Sequence, residues 1–333
     1  MKKILITGIS GSGGSYLAEH LLKKKKYNIF GTIRNRNVLK KFNCRNLVNN
    51  KNVKFIKCDL NNYKQLQKLF TLYRFDYIYH IASNANVLES FQNPYNLVKN
   101  NIISTLNLLE ILRKVKSSAK ILICSTSEVY GNVPFNLQPI KENTYIKPIN
   151  PYAVSKVFQD LLAQNYFSIF KLKIIITRMF TYFNGRRDNL FASAFAKQIV
   201  EIENKKKKNL EHGYLESQRS ILDIRDAMEA YYLAATKGKI GEIYNIGGKK
   251  KATVKNVLNL LIKSSNKKIF LKKNKNLFRP KDINFQIPYS KKFKKHTNWK
   301  QKYTTSESVK FLLDETREKF SFNQKNLAKV IKS

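Results

Sequence analysis

The sequence predicts an α/β fold: a doubly wound parallel sheet followed by a smaller C-terminal α/β region. Short apolar runs alternate with segments of helical periodicity through the first half of the chain, which is typical of βαβ units. A glycine-rich turn follows the first apolar run. In the second half the periodicity weakens and turn residues become more frequent.

Six apolar runs have the length of buried strands, and the segments between them have the period of helices. We predict strands at 4–9, 29–33, 54–58, 76–81, 120–125 and 172–177. We predict helices at 14–24, 63–73, 97–115 and 152–170. Parallel strands joined in this way form an open sheet, and ligands bind such sheets at the carboxyl ends of the strands.

The second half of the chain carries fewer strand signals. We predict helices at 191–203, 224–237 and 254–264. We predict strands at 243–246 and 269–271, with turns at Gly247-Gly248, Pro280 and Pro288. We therefore divide the chain into a sheet domain, 1–180, and a mainly substrate-binding region, 181–333, attached at the carboxyl edge of the sheet.

The composition is that of a folded chain with an unusual positive charge. Hydrophobic residues make up 43%, and 63 Lys and Arg outnumber 22 Asp and Glu, which gives a formal net charge of +41. A nucleic-acid or membrane-surface partner would explain this charge. A general lysine bias also explains it, because the lysine runs fall at expected turns without interleaved aromatic residues. We favour a solvated surface that attracts a diphosphate substrate, with neither nucleic acid nor membrane as a partner.

Signals for targeting, disulfides and metals are weak. No apolar run has the length of a membrane span, and the run at 4–9 is too short for the core of a signal peptide. We therefore expect a soluble cytoplasmic protein. Cys44, Cys58 and Cys124 form no CxxC pair, and the four histidines lack metal-ligand spacing. We expect neither disulfides nor a bound metal.

The glycine-rich turn at 7–14, TGISGSGG, lies between the first predicted strand and a helix. Gly8 permits a tight turn, Gly11 lets backbone N–H groups approach a pyrophosphate, and Gly14 allows the helix to pack closely on the strand. The helix N-terminus then presents its partial positive charge to the phosphates. A merely flexible turn is the alternative interpretation. We assign the sheet domain to a dinucleotide cofactor, held in this turn by Gly8, Ser10, Gly11, Gly13 and Gly14.

Residues after the next strands bear on which dinucleotide binds. The second strand ends at Arg34 rather than at an acidic residue, and a cation there suits the 2′-phosphate of NADP. We favour NADP and leave NAD open, since basic residues are abundant throughout the chain. Asp59 and Leu60 follow the third strand, where a carboxylate would reach the adenine, although Asp59 also suits a helix N-cap. Ala82, after the fourth strand, completes the predicted cofactor site.

Tyr152 and Lys156 lie four residues apart at the start of a predicted helix, so they share one helix face. An ammonium beside a phenol lowers the pKa of the phenol, which makes Tyr152 a candidate general base. Thr126, directly after the predicted strand 120–125, is placed to hydrogen-bond the same substrate hydroxyl. Tyr152 and Lys156 also belong to the predicted cofactor site.

The order of three motifs, TGISGSGGSYL, STSEVYG and PYAVSK, resembles the extended short-chain dehydrogenase/reductase superfamily over residues 1–315. Its members include epimerases, dehydratases and decarboxylases of nucleotide sugars. The segments GISGSGGSYLAEHLL and Gly185-Arg186-Arg187 resemble the GDP-mannose 4,6-dehydratases. Later segments such as FAKQIVEIE and EIYNIGG resemble equally the reductases of GDP-4-keto-6-deoxymannose. The resemblance implies a Rossmann-like fold, bound NADP and a nucleotide-sugar substrate.

The resemblance also implies a mechanism. Tyr152 removes the proton of the C4 hydroxyl while hydride passes from C4 to the nicotinamide. Glu128, two residues beyond Thr126 and on the same side of an extended strand, takes the acidic C5 proton and helps water to leave from C6. Hydride then returns to C6, which regenerates NADP. Simple epimerases of the superfamily tend to lack this carboxylate, so Glu128 favours a dehydratase; a surface role for Glu128 is the alternative.

The predicted substrate site departs from the family pattern. After the sixth strand the family has R-x-x-N, whereas Arg178 is followed by Thr181 here. We assign Thr181 and Asn184 to the substrate. In the family's later R-D-[FW] motif, the Asp position is Ser220. Three arginines suit bidentate binding of the substrate diphosphate: Arg186, Arg219 and Arg279.

Three classes of function remain open. The first, which we favour, is a nucleotide-sugar 4,6-dehydratase. The second is a 4-keto-sugar reductase or an epimerase, which would not need Glu128 as a C5 base. The third is a dinucleotide-sensing or nucleic-acid-binding protein, which has no use for the Tyr152/Lys156 pair. The helices predicted at 97–115 and 152–170 are more apolar than one buried face requires, so we expect a homodimer or homotetramer.

Overall fold

The computed structural model describes residues 1–278, 283 and 285–331. Its strands are β1 (Lys2–Thr7), β2 (Tyr27–Ile33), β3 (Val53–Lys57), β4 (Tyr77–His80), β5 (Lys120–Thr126), β6 (Ile174–Met179), β7 (Asn209–His212), β8 (Gln218–Ser220), β9 (Ile243–Ile246), β10 (Lys251–Thr253), β11 (Phe270–Lys273) and β12 (Phe285–Gln286). Its helices are α1 (Ser12–Leu22), α2 (Tyr63–Leu72), α3 (Val87–Gln92), α4 (Pro94–Lys114), α5 (Pro151–Phe170), α6 (Phe191–Glu203), α7 (Ile224–Lys237), α8 (Val254–Lys263), α9 (Lys291–Thr297) and α10 (Thr305–Ile331).

Seven strands form the central sheet, in the order β3-β2-β1-β4-β5-β6-β9. Neighbouring strands in it all run parallel. The order reverses between β1 and β4, because the chain builds one half outward from β1 and then returns to build the other. Open α/β sheets bind ligands at such a reversal, at the carboxyl ends of the strands. The predicted doubly wound, Rossmann-like sheet is confirmed.

Helices cover both faces of the sheet, and alternate residues of β1 belong to opposite cores. Ile4 and Ile6 pack in the core that contains α1 and α7, whereas Leu5 packs in the core that contains α4 and α5. All three side chains are fully buried. A strand covered on both faces is continuously apolar rather than alternating, which is why β1 is recognisable in the sequence as an apolar run.

The elements of the first half lie close to their predicted positions. Each of the six predicted strands exists, and its ends differ from the prediction by at most two residues. Helix α1 begins and ends two residues earlier than predicted, because the chain turns into the helix directly after the extended Gly11. None of the described helices is both long and apolar enough to span a bilayer.

Strand β9 shows that the second half of the chain returns to the central sheet. It pairs with β6, with Ile243 opposite Ile176, and helix α7 packs on α1. The rest of this half forms the small sheets β10-β8-β12 and β11-β7, and helices α6, α8 and α10 share a third core. Residues 181–333, predicted as a mainly substrate-binding region, therefore contribute to the central sheet as well as to the smaller region.

A buried ion pair joins the sheet to helix α5. The guanidinium of Arg178, on β6, donates to both carboxylate oxygens of Asp160, on α5, at 2.9 and 3.1 Å. Ser125 Oγ and Gln164 Nε2 donate to the same carboxylate at 2.9 and 2.8 Å. The side chains of Arg178 and Asp160 are 3% and 0% exposed. The pair therefore holds helix α5, whose first turn carries Tyr152, against the ends of β5 and β6.

We expect Asp160→Ala to lower the free energy of unfolding by about 3–5 kcal/mol, because it leaves the Arg178 guanidinium buried without its counter-ion. The control is Lys292→Ala, which breaks the more exposed pair between Lys292 and Glu242, whose charged atoms lie 2.9 Å apart. That change should cost less than about 1 kcal/mol. Urea unfolding followed by circular dichroism measures both values. Equal losses in the two variants would contradict the assignment of Arg178 and Asp160 as a stabilising buried pair.

Candidate functional site

A cleft of about 430 Å³ opens at the carboxyl ends of the central strands. Strands β1 to β6 each contribute the residue that directly follows the strand: Gly8, Arg34, Cys58, Ile81, Ser127 and Phe180. Helices α5 and α7 add further side chains: Tyr152, Lys156 and Tyr231. The cleft thus lies where the reversal in strand order predicts a ligand.

The glycine-rich turn forms part of the cleft wall. Gly8 has a φ of +68°, in the left-handed region, and the N–H of Gly11 donates to the carbonyl oxygen of Gly8 at 2.9 Å. A Cβ atom on Gly14 would lie 2.4 Å from that oxygen and 2.9 Å from the Cα of Ile9. Glycine is therefore required at position 8 by backbone conformation and at position 14 by close packing.

The N-terminus of helix α1 opens on the cleft, as in anion-binding sites. The helix begins directly after Gly11, and the residues of its first turn that line the cleft are small. All of the residues predicted to hold the cofactor phosphates lie in the wall: Gly8, Ser10, Gly11, Gly13 and Gly14. Backbone N–H groups and a positive helix end fit the pyrophosphate of a dinucleotide.

A buried hydrogen-bonded cluster joins the ends of β1 and β4 next to this turn. Thr7 Oγ1 accepts hydrogen bonds from the N–H groups of Ile81 and Ala82, both at 3.1 Å. It also contacts Nδ1 of His80 at 3.0 Å, and Nε2 of His80 contacts Thr105 Oγ1 at 2.9 Å. Burial lowers the pKa of His80 to about 3. The imidazole is therefore neutral, and it positions the strand ends through its two threonine contacts.

The structure places four further predicted cofactor residues in the cleft wall: Arg34, Asp59, Leu60 and Ala82. Arg34 is exposed, and its Nη2 donates to Asn100 Oδ1 at 2.7 Å. The alternative interpretation of Asp59 as a helix N-cap is wrong. Helix α2 is capped instead by Asn62, whose side chain accepts from the N–H of Gln65 at 3.1 Å.

Helix α5 carries Tyr152 and Lys156 into the cleft from its first turns. Asn150 is the N-cap, and its Oδ1 accepts from the N–H of Ala153 at 2.7 Å. This cap fixes the start of the helix and hence the position of Tyr152. Lys156 Nζ donates to the carbonyl oxygen of Cys124 at 2.8 Å. Burial lowers the pKa of Lys156 to about 8.

The environment of Tyr152 differs from the one expected. Burial raises the pKa of its phenol above the usual value; the Arg187 guanidinium lowers this pKa, the Glu128 carboxylate raises it, and a hydrogen bond with Thr126 lowers it. The ammonium of Lys156 is bound to a backbone oxygen. In this structure Arg187, rather than Lys156, is therefore the cation that acts on the phenol.

Glu128 reaches the cleft by a different route from the one predicted. Strand β5 ends at Thr126, and Ser127–Tyr130 form a 3₁₀ turn, so the prediction that Glu128 continues an extended strand is wrong. Thr126 Oγ1 accepts from the N–H of Glu128 at 3.3 Å, and Asn150 Nδ2 donates to Glu128 Oε2 at 3.1 Å. Glu128 is half-buried and lines the same cleft as Thr126 and Tyr152.

The residues predicted to bind substrate are less well grouped. Thr181 lines the cleft. Asn184 is buried outside the cleft wall, where its Oδ1 accepts from the N–H of Arg186 at 3.1 Å. Arg219 lies on β8, outside the described wall of the cleft, and its Nη1 donates to the carbonyl of the preceding residue at 3.0 Å. Arg279 lies outside the described residues.

Arg186 is buried away from the cleft. Its side chain is 1% exposed, with charged nitrogens 2.7 Å from Glu19 Oε2 and 3.0 Å from Glu315 Oε1. A third nitrogen donates to Ser15 Oγ at 2.9 Å. Every nitrogen of the guanidinium is therefore engaged within the protein, and this geometry does not support the prediction that Arg186 binds the substrate diphosphate.

The neighbouring residue, Arg187, lines the cleft instead. Its Nε donates to Asn189 Oδ1 at 2.6 Å, and its Nη2 donates to the carbonyl oxygen of Ala85, another residue of the wall. Sequence reasoning chose the other member of this pair. Two adjacent arginines in a loop lack the periodicity that would indicate which side chain faces inward.

Known proteins similar to this chain include both dehydratases and epimerases. A family model described as GDP-mannose 4,6 dehydratase matches residues 5–312. A dTDP-D-glucose 4,6-dehydratase of Dictyostelium discoideum is 32% identical over 74% of this chain, and the match spans 58% of that protein's length. A UDP-glucuronate 4-epimerase of Thermodesulfobacterium geofontis is 29% identical over 94% of this chain and 96% of that protein.

A solved structure shows the same fold. A UDP-glucuronic acid 4-epimerase from Bacillus cereus, in complex with UDP-glucuronic acid and NAD, matches with a TM-score of 0.82 and 28% identity. The match covers 95% of this chain and 99% of that one. The resemblance drawn from the sequence motifs is confirmed, and the family match includes every residue of the cleft wall. The chain belongs to the GDP-mannose 4,6 dehydratase family and is an enzyme of the nucleotide-sugar dehydratase and epimerase group.

Proposed function

We propose that this protein is a nucleotide-sugar 4,6-dehydratase that converts GDP-mannose to GDP-4-keto-6-deoxymannose with tightly bound NADP. The position of Glu128 carries this proposal, because its carboxylate lines the same cleft as Thr126, Tyr152 and Lys156. Oxidation of a hydroxyl needs one base, and elimination of water needs a second group that can take and return a proton. The family match and the dehydratase relative support the same class of reaction.

The cleft suits a nicotinamide dinucleotide. The glycine-rich turn carries no side chain at position 14, where one would collide with the backbone of Gly8. The N-terminus of helix α1, which opens on the cleft, would hold a pyrophosphate against the backbone of this turn. Arg34, exposed in the cleft wall, would pair with the 2′-phosphate of NADP. The B. cereus epimerase holds NAD, which stays the alternative. When bound, the nicotinamide supplies hydride acceptance and return.

Tyr152 is the proposed base for the C4 hydroxyl of the sugar. Thr126, which hydrogen-bonds the phenol, would orient the same hydroxyl. Burial opposes formation of the phenolate, and the guanidinium of Arg187 favours it. Lys156 adds a buried ammonium to the same cleft. These residues would together remove the hydroxyl proton as C4 is oxidised.

Glu128 acts once C4 is a ketone. The ketone acidifies the C5 proton, which passes to the Glu128 carboxylate. The proton then moves to the C6 hydroxyl, which leaves as water, so that Glu128 returns to its ionised form. Asn150 Nδ2, 3.1 Å from Glu128 Oε2, would hold the carboxylate in place through both transfers. The reaction is redox-neutral overall, because hydride taken from C4 is returned to C6. C5 gains a proton at the same time, which balances the proton that Tyr152 removed from the C4 hydroxyl.

The proposed substrate contacts combine residues of the cleft wall with arginines that the sequence pattern alone suggests. We keep Thr181, Arg219 and Arg279 as predicted ligands of the nucleotide sugar, and we replace Arg186 by Arg187 as the arginine within the cleft. Asn184 would support this loop, since its carbonyl oxygen accepts from the N–H of Arg187 at 3.2 Å.

We further propose a homodimer or homotetramer assembled through helices α4 and α5. Large apolar side chains of these helices are exposed, including Tyr95 at 69% and Leu161 at 51%. Exposed apolar side chains of this size are typical of interfaces between subunits.

A 4-epimerase is the second candidate function. The epimerase from T. geofontis aligns with nearly the whole chain, and Thr181 replaces the Asn that the superfamily usually carries after the sixth strand. An epimerase would use Tyr152 and Lys156 but would not need Glu128 as a base for the C5 proton. Retention of the C6 oxygen in the product distinguishes it from a dehydratase.

We expect the purified protein, without added cofactor, to remove one water from GDP-mannose, because the bound cofactor is regenerated in each turnover. Mass spectrometry of the product measures this loss. A product of unchanged mass but altered sugar stereochemistry would establish the epimerase instead. NADPH-dependent gain of two hydrogens by the 4-keto sugar, with GDP-mannose itself unchanged, would establish a reductase.

We expect kcat/KM to fall as pH rises through about 8. Burial lowers the pKa of Lys156 to about 8, so its ammonium loses the proton above that pH, and the cleft loses a positive charge that would favour binding of the anionic cofactor and substrate. The guanidinium of Lys156→Arg stays charged, so this variant should lack the decline. A wild-type decline that persists unchanged in Lys156→Arg would contradict the assignment.

A further inference from the structure

Two arginines connect the C-terminal helix α10 to helix α1 and to the glycine-rich turn. The first is Arg186, whose guanidinium donates to Glu315 of α10 at 3.0 Å. It also donates to Glu19 and Ser15 of α1 at 2.7 and 2.9 Å. The same guanidinium lies over the ring of Tyr16, 3.9 Å from its centroid. One buried side chain therefore joins the first two turns of α1 to α10.

The second connection runs through Arg45. Its Nε and Nη2 donate to the two carboxylate oxygens of Glu318, on α10, at 3.0 and 2.9 Å. Its guanidinium lies 3.5 Å from the centroid of the Phe42 ring. The adjacent Asn43 donates from Nδ2 to the carbonyl oxygen of Ser10 at 3.2 Å. Helix α10 thus reaches the glycine-rich turn by a second route, which meets the first at Glu315, whose Oε1 lies 3.9 Å from Nη2 of Arg45.

The glycine-rich turn has few side chains that could stabilise its own conformation. Gly14 is needed where the helix backbone lies against Gly8 and Ile9, directly after β1, and the glycines of the turn have no side chains that could hold the start of α1 against other elements. Further along the helix, Ser15, Tyr16 and Glu19 lie outside the cleft wall. All three are contacts of Arg186. Binding groups need such supporting contacts to hold their geometry.

We propose that Arg186 and Arg45 are positioning residues for the dinucleotide. With Glu315 and Glu318 they hold the N-terminus of helix α1 in the geometry that binds the cofactor phosphates. This inference rests on the proposed binding of a dinucleotide in the cleft. The two adjacent arginines have different roles. Arg187 lies in the cleft wall, whereas Arg186 holds helix α1 through contacts outside the cleft.

The test is the affinity of cofactor-free protein for NADP, measured by isothermal titration calorimetry. We expect Arg186→Met to weaken binding by about tenfold or more, since small displacements of binding groups have large effects. Arg186→Lys should recover part of the loss. At saturating NADP the turnover number should fall less than the affinity, because the side chains of the cleft are unchanged. Arg45→Met should weaken binding in the same direction.

Arg317→Met is the matched control. Arg317 also lies on α10, but its guanidinium holds Glu203 of α6, at 2.9 and 2.6 Å. The control should keep its NADP affinity within about twofold, because the hydrogen-bond partners of Arg317 in the described part of the chain are Glu203, Asp314 and Ser264. None of these is a partner of Arg186 or Arg45, and residues without shared partners act independently. Arg45→Met decides the test if Arg186→Met does not fold, since Glu318, the carboxylate that Arg45 binds through two nitrogens, is 57% exposed and is left in water.

Two results would overturn the inference. One is unchanged NADP affinity in the folded variants of Arg186 and Arg45. The other is an equal loss of affinity in Arg317→Met, which would indicate a general structural effect of α10. Wild-type protein that binds neither NADP nor NAD would contradict the proposed function itself, and this result is read before any variant is compared.

Discussion

The backbone of helix α1 at Gly14 lies so close to Gly8 and Ile9, directly after strand β1, that no side chain fits between them. This contact sets where the helix begins and directs its N-terminus into the cleft. The parallel order of the strands then brings the residues after β4, β5 and β6 to the same place. The glycine-rich turn and the catalytic side chains therefore line one cleft, because the strand order and this close contact fix the positions of both.

Buried arginines and exposed lysines have different roles in this strongly basic chain. Arg178 is paired with Asp160 between the sheet and helix α5, and Arg186 is paired with carboxylates on two helices. Both are buried, and both hold elements that border the cleft. Arg187 and Lys156 instead line the cleft together with Tyr152. The lysine runs, by contrast, are mostly exposed, as a solvated surface requires.

Much of the fold follows from local sequence signals. Buried parallel strands are continuous apolar runs, so β1 to β6 were predictable to within two residues. The glycine-rich turn and the Tyr152/Lys156 spacing were predictable because each depends on residues close in sequence. Helix α10 was not predicted, and neither was the pairing of β9 with β6, because both depend on contacts between distant segments.

The details of the site were less predictable for the same reason. Nothing local separates Arg186 from Arg187, and only the positions of Glu19 on α1 and Glu315 on α10 determine which one is buried. Lys156 was expected to act on Tyr152, but the nearest acceptor for its ammonium is a backbone oxygen of β5. Glu128 was expected on an extended strand, but Thr126 caps a 3₁₀ turn there. Each correction comes from a hydrogen bond that sequence spacing does not encode.

The most direct measurement is a single turnover of Glu128→Gln with GDP-mannose. If Tyr152 and Glu128 serve separate steps, the bound nicotinamide becomes reduced while loss of water slows by about 10²–10⁴-fold. Glu201→Gln, whose carboxylate pairs with Lys197 on helix α6, is the control and should resemble the wild type in both readouts. Loss of water at the wild-type rate in Glu128→Gln would contradict the role of Glu128 and with it the dehydratase assignment.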